Sequence, residues 1–177
     1  MSIPAAITAL LATETAYGLQ LHKEIVSRLP HRAKTNVGQI YSTLDRLVRD
    51  ELVATAGTTA DGLPLYAATA RGRERAALWL AGDSLTSSDW SEFLDVAFLA
   101  ATLTIDGLSP IRHALDRTKV MLASSGPSDI AEHRLGEAML AILADLETCL
   151  REGTISVHSL DQERPARGRR PRQSSMQ

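Results

Sequence analysis

The chain has 177 residues, 44% hydrophobic and 23% charged, ordinary globular proportions that allow one sizeable core or two small ones. No run approaches the roughly 18 apolar residues of a membrane span, no charged n-region precedes an apolar run as a secretory signal requires, and a single cysteine, Cys149, excludes an internal disulfide and points to the cytoplasm. The formal net charge of −2 is unevenly spread: residues 1–80 hold nine basic and seven acidic groups, residues 81–160 five and twelve, and residues 161–177 five and two, so contact with nucleic acid belongs to the first block or the tail.

Ile3, Ile7, Leu10 and Leu11 recur at helical spacing and predict a helix from Ile3 to Ala12, with Pro4 in its first turn. Leu21, Ile25, Val26 and Leu29 predict a second helix that opens near Tyr17-Gly18 and is stopped by Pro30. A connector, His31 to Thr35, leads to Asn36–Glu51, the most informative stretch. There Val37, Ile40, Leu44, Leu47 and Val48 predict a buried face, and Asn36 is placed to cap the first turn. The other face presents Gln39, Ser42, Thr43, Arg46 and Arg49. Two helices, a connector and a third helix with a polar outer face form a helix-turn-helix. Helix 36–50 is then the recognition helix, its opening turn entering a DNA major groove.

After Asp50-Glu51 the pattern becomes extended. Leu52-Val53-Ala54-Thr55 and Leu65-Tyr66-Ala67-Ala68 predict two short strands, separated by a Gly- and Thr-rich stretch ending in the hairpin dipeptide Asp61-Gly62. This is a wing. Thr69 sits where an N-cap is wanted, and Arg73–Leu80 predict a fourth helix that ends at Gly82. Residues 1–82 thus read as a winged helix-turn-helix DNA-binding domain in a mainly α chain.

Ala16-Tyr17-Gly18, the run Gly38-Gln39-Ile40-Tyr41-Ser42-Thr43-Leu44-Asp45-Arg46-Leu47, Leu52-Val53 at the wing, and Pro64, Tyr66, Thr69 and Gly72 follow one another at a familiar spacing. In these motifs the sequence resembles the PadR family of bacterial winged-helix transcription regulators, closely over roughly the first 80 residues and in outline beyond. The resemblance implies a dimer bound to DNA, a tyrosine at position 41 on the DNA side with its hydroxyl near phosphate, and, as in many relatives, a small-molecule effector at the dimer domain. PadR wings usually carry a basic residue near their proline; here Leu65 follows Pro64, and the tip holds Thr58, Thr59 and Asp61. The family's tip contact is not carried over.

The second half predicts a helical dimerisation domain over residues 88–155. Asp89 to Thr104 opens with a capping-box-like Asp89-x-x-Glu92 and is apolar nearly all round, through Phe93, Leu94, Val96, Phe98 and Leu99. Such a helix must be enclosed. Asp106-Gly107 breaks it, Ser109-Pro110 starts another with Ile111 and Leu115 on one side, and Ser124-Ser125-Gly126 ends that one. From Pro127 to Glu152 a last helix, about 39 Å long at 1.5 Å per residue, carries Leu135, Met139, Ile142, Leu146 and Cys149 at steps of four, three, four and three. That is a coiled-coil-like seam. With Phe93, these residues are the expected dimer contacts; an intramolecular three-helix bundle is the rival. From Asp161 onward a Pro/Arg-rich segment has no apolar period and is expected to be a disordered basic tail, 161–177. Its Arg167-Gly168-Arg169-Arg170-Pro171 partly resembles an AT-hook core, with Arg170 inserted, and the reading preferred is general phosphate attraction.

On the major-groove reading Asn36, Gln39, Ser42 and Thr43 meet base edges, since amides and hydroxyls pair with adenine or bridge through water. Gly38 lets the backbone come close. Lys34, Arg32, Arg46 and Arg49 are assigned to phosphate, with Thr35 on the same approach. Tyr41 falls between the two faces, so core packing competes with a DNA contact, and Tyr17-Gly18 sets the second helix's N-terminus near the phosphates. The five histidines lack metal-ligand spacing, and no nucleophile motif or phosphate loop appears. No cofactor, metal or membrane is expected. The sequence therefore reads as a homodimeric, cytoplasmic transcriptional regulator, a repressor of a pseudo-palindromic operator on double-stranded DNA. A small apolar effector would act through Trp79, Trp90, Phe93 and Phe98, for which core packing is the alternative. The rivals are an adaptor that keeps the fold without specific DNA binding, an RNA-binding helical protein and, remotely, an enzyme.

Overall fold

The computed structural model describes residues 2–83, 85, 89–104, 107–123 and 130–161. Its elements in order are α1 (Ser2–Thr13), α2 (Gly18–Arg28), a 3-10 turn (Pro30–Arg32), α3 (Val37–Arg49), β1 (Val53–Thr58), β2 (Pro64–Ala68), α4 (Ala70–Leu80), α5 (Trp90–Leu103), α6 (Leu108–Ala123) and α7 (Ile130–Arg151). The fold is mainly helical, with one two-stranded antiparallel sheet: a winged helix followed by a helical C-terminal part, as the sequence predicts. The helix break at Asp106, the turn at Ser124-Ser125-Gly126, the helix start at Pro127 and the tail from residue 162 lie outside the described residues.

Polar caps set the helix starts. Asn36 Oδ1 accepts from the Gly38 N–H at 2.7 Å, Thr69 Oγ1 from Gly72 at 3.0 Å and Asp89 Oδ1 from Glu92 at 3.0 Å. Each satisfies an amide that its own helix leaves without a partner. α3 ends on Glu51, which takes a left-handed φ of 56° so that the Leu52 N–H can turn back to the Leu47 carbonyl. The hairpin pairs Val53 with Ala68 and Thr58 with Pro64, with a bulge between Thr55 and Thr58. Ala16 joins its edge through reciprocal bonds with Tyr66, tying the wing to the turn between α1 and α2.

Gly72 marks where α4 crosses the start of the wing. A Cβ there would lie 2.0 Å from the Leu52 carbonyl oxygen, a backbone atom that cannot swing aside. Gly72→Ala is expected to destabilise the fold by roughly 1–3 kcal/mol, the usual cost of overpacking. Chemical denaturation measures it, and an unchanged midpoint would contradict the close approach.

The core is continuous. α1 lies at its centre, with Ala6, Ile7, Ala9 and Leu10 fully buried, against α3, α4, α5 and the wing. α5 is enclosed as its composition demands, but by α1, α2, α4, α6 and α7 of the same chain. Phe93 is therefore completely buried inside one chain, as are Met139 and nearly so Leu146 on α7. This corrects the area argument for a dimer, because these three side chains are covered without a second copy. Leu135, Ile142 and Cys149 remain half-buried, and Ile130 is 65% exposed.

After α7 the chain returns to the winged helix. Arg28 of α2 donates through Nη1 to the Thr102 carbonyl at 2.9 Å and through Nη2 to those of His158 and Ser159 at 3.0 and 3.1 Å. Its Nε pairs with Glu24 Oε2 at 2.7 Å, both side chains being almost fully buried. Glu24 Oε1 accepts from the Asp161 N–H at 2.6 Å, and Gln20 Nε2 donates to the Asp161 carbonyl at 2.8 Å. Leu160 is buried between these bonds. Asp161, expected to begin the loose tail, is instead fastened to α2.

Candidate nucleic-acid interface

α3 turns Ile40, Leu44 and Leu47 into the core. At about 100° per residue the flank of that stripe is filled by Thr43, only 1% exposed, whereas Val48 turns outward at 37%. Two expectations change together. Val48 does not belong to the buried face, and Thr43 faces inward, where its side chain cannot meet a base edge. Asn36, Gly38, Gln39, Ser42, Arg46 and Arg49 are exposed, with Asp45 among them.

Within that face the polar groups differ in freedom. Asn36 commits its carbonyl oxygen to the cap, which leaves its amide nitrogen to donate outward. Ser42 Oγ donates to the Gln39 carbonyl at 3.1 Å. Arg46 Nη2 donates to Thr43 Oγ1 at 3.3 Å, and Arg49 Nε reaches the Asp45 carbonyl at 3.4 Å. These are long contacts on exposed side chains, easily exchanged for phosphate oxygens.

Tyr41 packs on one side and is exposed on the other. Its ring lies over Gly18, where an added Cβ would fall 2.5 Å from Cε1, yet the residue stays 39% exposed. The Tyr-Gly step is thereby explained, since only glycine admits the ring to the first residue of α2. Tyr17 is 7% exposed and belongs to the core, which corrects its reading as a presented DNA contact. Its backbone supplies the N-cap of α2 without a side-chain bond. Tyr66, given no role from sequence, stands half-buried near this surface. Burial first, then Asp45 and Tyr41, raises its hydroxyl above the usual 10.0. The signal for it was its place on the wing strand among the motif residues Pro64, Tyr66 and Thr69.

The connector is divided. Lys34 is exposed, and Thr35 is half-buried, its carbonyl accepting from His22 Nε2 at 2.8 Å. Arg32 is held by α5. It grips Asp95 of α5 through Nε at 3.1 Å and Nη2 at 2.7 Å, and reaches Ser91 Oγ at 2.7 Å. The hydrogen bond to Asp95 is the main reason its pKa is raised, against the lowering by burial, with the charges of Asp95 and Asp89 adding to the rise. Asp95 is fully buried and also bonds His31 Nε2 at 2.7 Å. Arg32 is thus a strut between the connector and α5, which corrects its assignment to phosphate. An acid inside an otherwise apolar helix was the sequence signal for this strut.

The wing tip is neutral apart from Asp61. Thr59 holds it, accepting from Gly62 at 2.8 Å through its carbonyl and from Leu63 at 3.0 Å through Oγ1, while Leu63 is 43% exposed. No lysine or arginine lies between Val53 and Ala68.

Behind α3 is a cleft of about 460 Å³, lined by Thr8, Thr43, Leu47, Asp50, Trp79 and Glu92 among others. Trp79 Nε1 donates to Glu92 Oε1 across it at 2.9 Å. Of the four aromatics weighed between a pocket and core packing, Trp79 and Phe93 are buried. Trp79 alone lines this cleft, Trp90 packs on Phe93 with centroids 5.7 Å apart, and Phe98 lies 6.3 Å from the His31 ring. Among the described residues no group of three or more His, Cys, Asp or Glu is placed to hold a metal ion, and no helix is long and apolar enough to cross a membrane.

Residues 7–78 match the model of the transcriptional regulator PadR-like family, a span that runs from α1 into α4 and includes α3 and the wing. They form a PadR-like domain. PadR-family proteins are regulators of transcription that bind DNA. No curated protein matches the chain. The PadR-like domain keeps its tyrosine and glycine pair in contact and lacks cationic side chains on its wing. Exposed cations are found instead at Lys34 and, on α3, at Arg46 and Arg49.

Proposed function

We propose that the protein is a cytoplasmic, homodimeric repressor that reads a pseudo-palindromic operator through α3, with half-sites about one helical turn apart. One observation carries the reading: α3 is anchored in the core by Ile40, Leu44 and Leu47 while Asn36, Gln39, Ser42 and Arg46 stand exposed on its first three turns. Asn36, Gln39 and Ser42 address bases; Lys34, Arg46 and Tyr41 address phosphate, and Gly38 allows close approach. Leu135, Ile142 and Cys149, half-buried along α7, support a seam between two copies. A small apolar effector is assigned to the cleft behind α3, where an occupant touching Leu47 and Asp50 would bear directly on the reading helix.

Selection from a random DNA pool tests the first part and light scattering the second. The expected results are an enriched inverted repeat and a particle of twice the chain mass. A pool left without enrichment would favour the adaptor reading, which the acidic residues 81–160 and the neutral wing make its natural rival. A strict monomer at micromolar concentration would rule out the dimer.

A further inference from the structure

The connector before α3 has no apolar anchor of its own. No residue from Pro30 to Asn36 is buried, so what fixes this stretch is mainly polar. On one side His22 of α2 bonds the Thr35 carbonyl at 2.8 Å. On the other, Ser91, Asp95 and Phe98, spaced four and three along α5 and so on one face, meet His31 and Arg32. Asp95 is the centre of that face. Wholly buried, it takes His31 on Oδ1 and the Arg32 guanidinium on both oxygens. The backbone carries this contact onward. The Arg32 carbonyl accepts from the Thr35 N–H at 2.9 Å, Thr35 precedes the cap Asn36, and the Asn36 carbonyl accepts from the Gln39 N–H at 3.0 Å.

We propose that Asp95 is a positioning residue for DNA reading: from α5 it fixes, through His31 and Arg32, the pose in which Asn36 and Gln39 are presented to the bases. Resting on the DNA-binding reading above, this role adds to it a residue outside the matched span 7–78. Three physical points support it. Burying a carboxylate costs free energy that a well-packed apolar side chain would not, so stability alone does not account for an acid on the inner side of α5. A guanidinium bound to both carboxylate oxygens is directional, setting angle as well as distance. Hydrogen bonds to base edges weaken steeply with poor geometry, so a small shift of the first turn of α3 falls on the contacts that discriminate. Attraction of Lys34 and Arg46 to phosphate tolerates the same shift, because charge acts over a longer range.

The test compares the full chain with Asp95→Asn, Arg32→Gln and the double variant, on the selected operator and a scrambled duplex, over a range of salt. Each variant is expected to lower the ratio of operator to scrambled affinity about tenfold, the scale of one base contact. The double variant should fall no further, since both changes break one contact, and the slope of log affinity against log salt should stay at the parent value. Hydrogen exchange in the free protein should quicken at the amides of Arg32, Ala33, Thr35 and Gln39 and keep the parent rate from Leu44 to Val48. Should the stranded carboxylate unfold Arg32→Gln, the double variant, which buries no charge at this site, carries the comparison. A parent-like ratio in Asp95→Asn and in the double variant would overturn the proposal alone. So would a slope reduced by about 0.9 in Arg32→Gln, the mark of a lost phosphate contact, or exchange quickened throughout α3, the mark of a merely structural role. A parent that did not discriminate between the duplexes would remove the recognition-helix reading and this role together.

Discussion

Gln39→Ala is expected to lower affinity for the selected operator by roughly 1–3 kcal/mol, about 5- to 150-fold, while leaving unrelated DNA nearly unaffected. Gln39 is exposed on the opening turn of a helix whose other face is fixed by Ile40 and Leu44. Removing its amide therefore deletes the proposed base contact without moving the backbone. Arg46→Ala should behave differently, weakening specific and unrelated DNA alike and reducing the salt slope by about one, because guanidinium against phosphate carries no sequence information. Titration of both variants on operator and scrambled duplexes separates the two signatures. If Gln39→Ala bound both duplexes as tightly as the parent, α3 would not be the reading element.

Arg28→Ala is expected to be the most damaging single change to stability, at about 3–5 kcal/mol. The guanidinium satisfies Glu24 and three carbonyls at once, one from α5 and two from the segment 158–161, a strap laid across α2. Its loss strands a carboxylate that is 3% exposed. In a chain of this size each kcal/mol moves the thermal midpoint by about 2–4 °C, so a drop on the order of 10 °C is anticipated. Adding Glu24→Gln to Arg28→Ala should restore part of the loss, since it removes the buried charge while keeping an acceptor for the Asp161 N–H. Calorimetry on the single and double variants decides it; a double variant no better than Arg28→Ala would place the cost in the carbonyls rather than in the charge.

The helices of the winged domain were legible because short-range rules govern them. Asn36, Thr69 and Asp89 cap where side-chain chemistry places caps, and Asp61-Gly62 turns the hairpin. The outward face of α3 was legible in the same way, apart from its edges. Thr43 and Val48 exchanged places because periodicity locates a stripe's centre better than its flanks, and α1 and α4 decide which flank they cover. Tyr17 and Arg32 escaped for another reason: a tyrosine or a cation is read as exposed until its partner is known. The partners here, the core around α2 and Asp95 of α5, lie far away in sequence. The strap was the least legible feature. Nothing in His158–Asp161 distinguishes a docked segment from a loose one, since backbone atoms make most of its bonds.

That strap has a consequence for the order in which the molecule is made. The bonds joining Arg28 and Glu24 to residues 158–161 span 130 to 137 positions, and so cannot close until residues 158–161 have left the ribosome. During synthesis the nascent reading head holds its α3 stripe and its hairpin, which need only neighbours, but carries an ionised Glu24–Arg28 pair still open to water on one side. Binding competence and final rigidity then arrive at different times. A product stalled before residue 158 would hold α3 beside an α2 whose Arg28 and Glu24 still lack these partners.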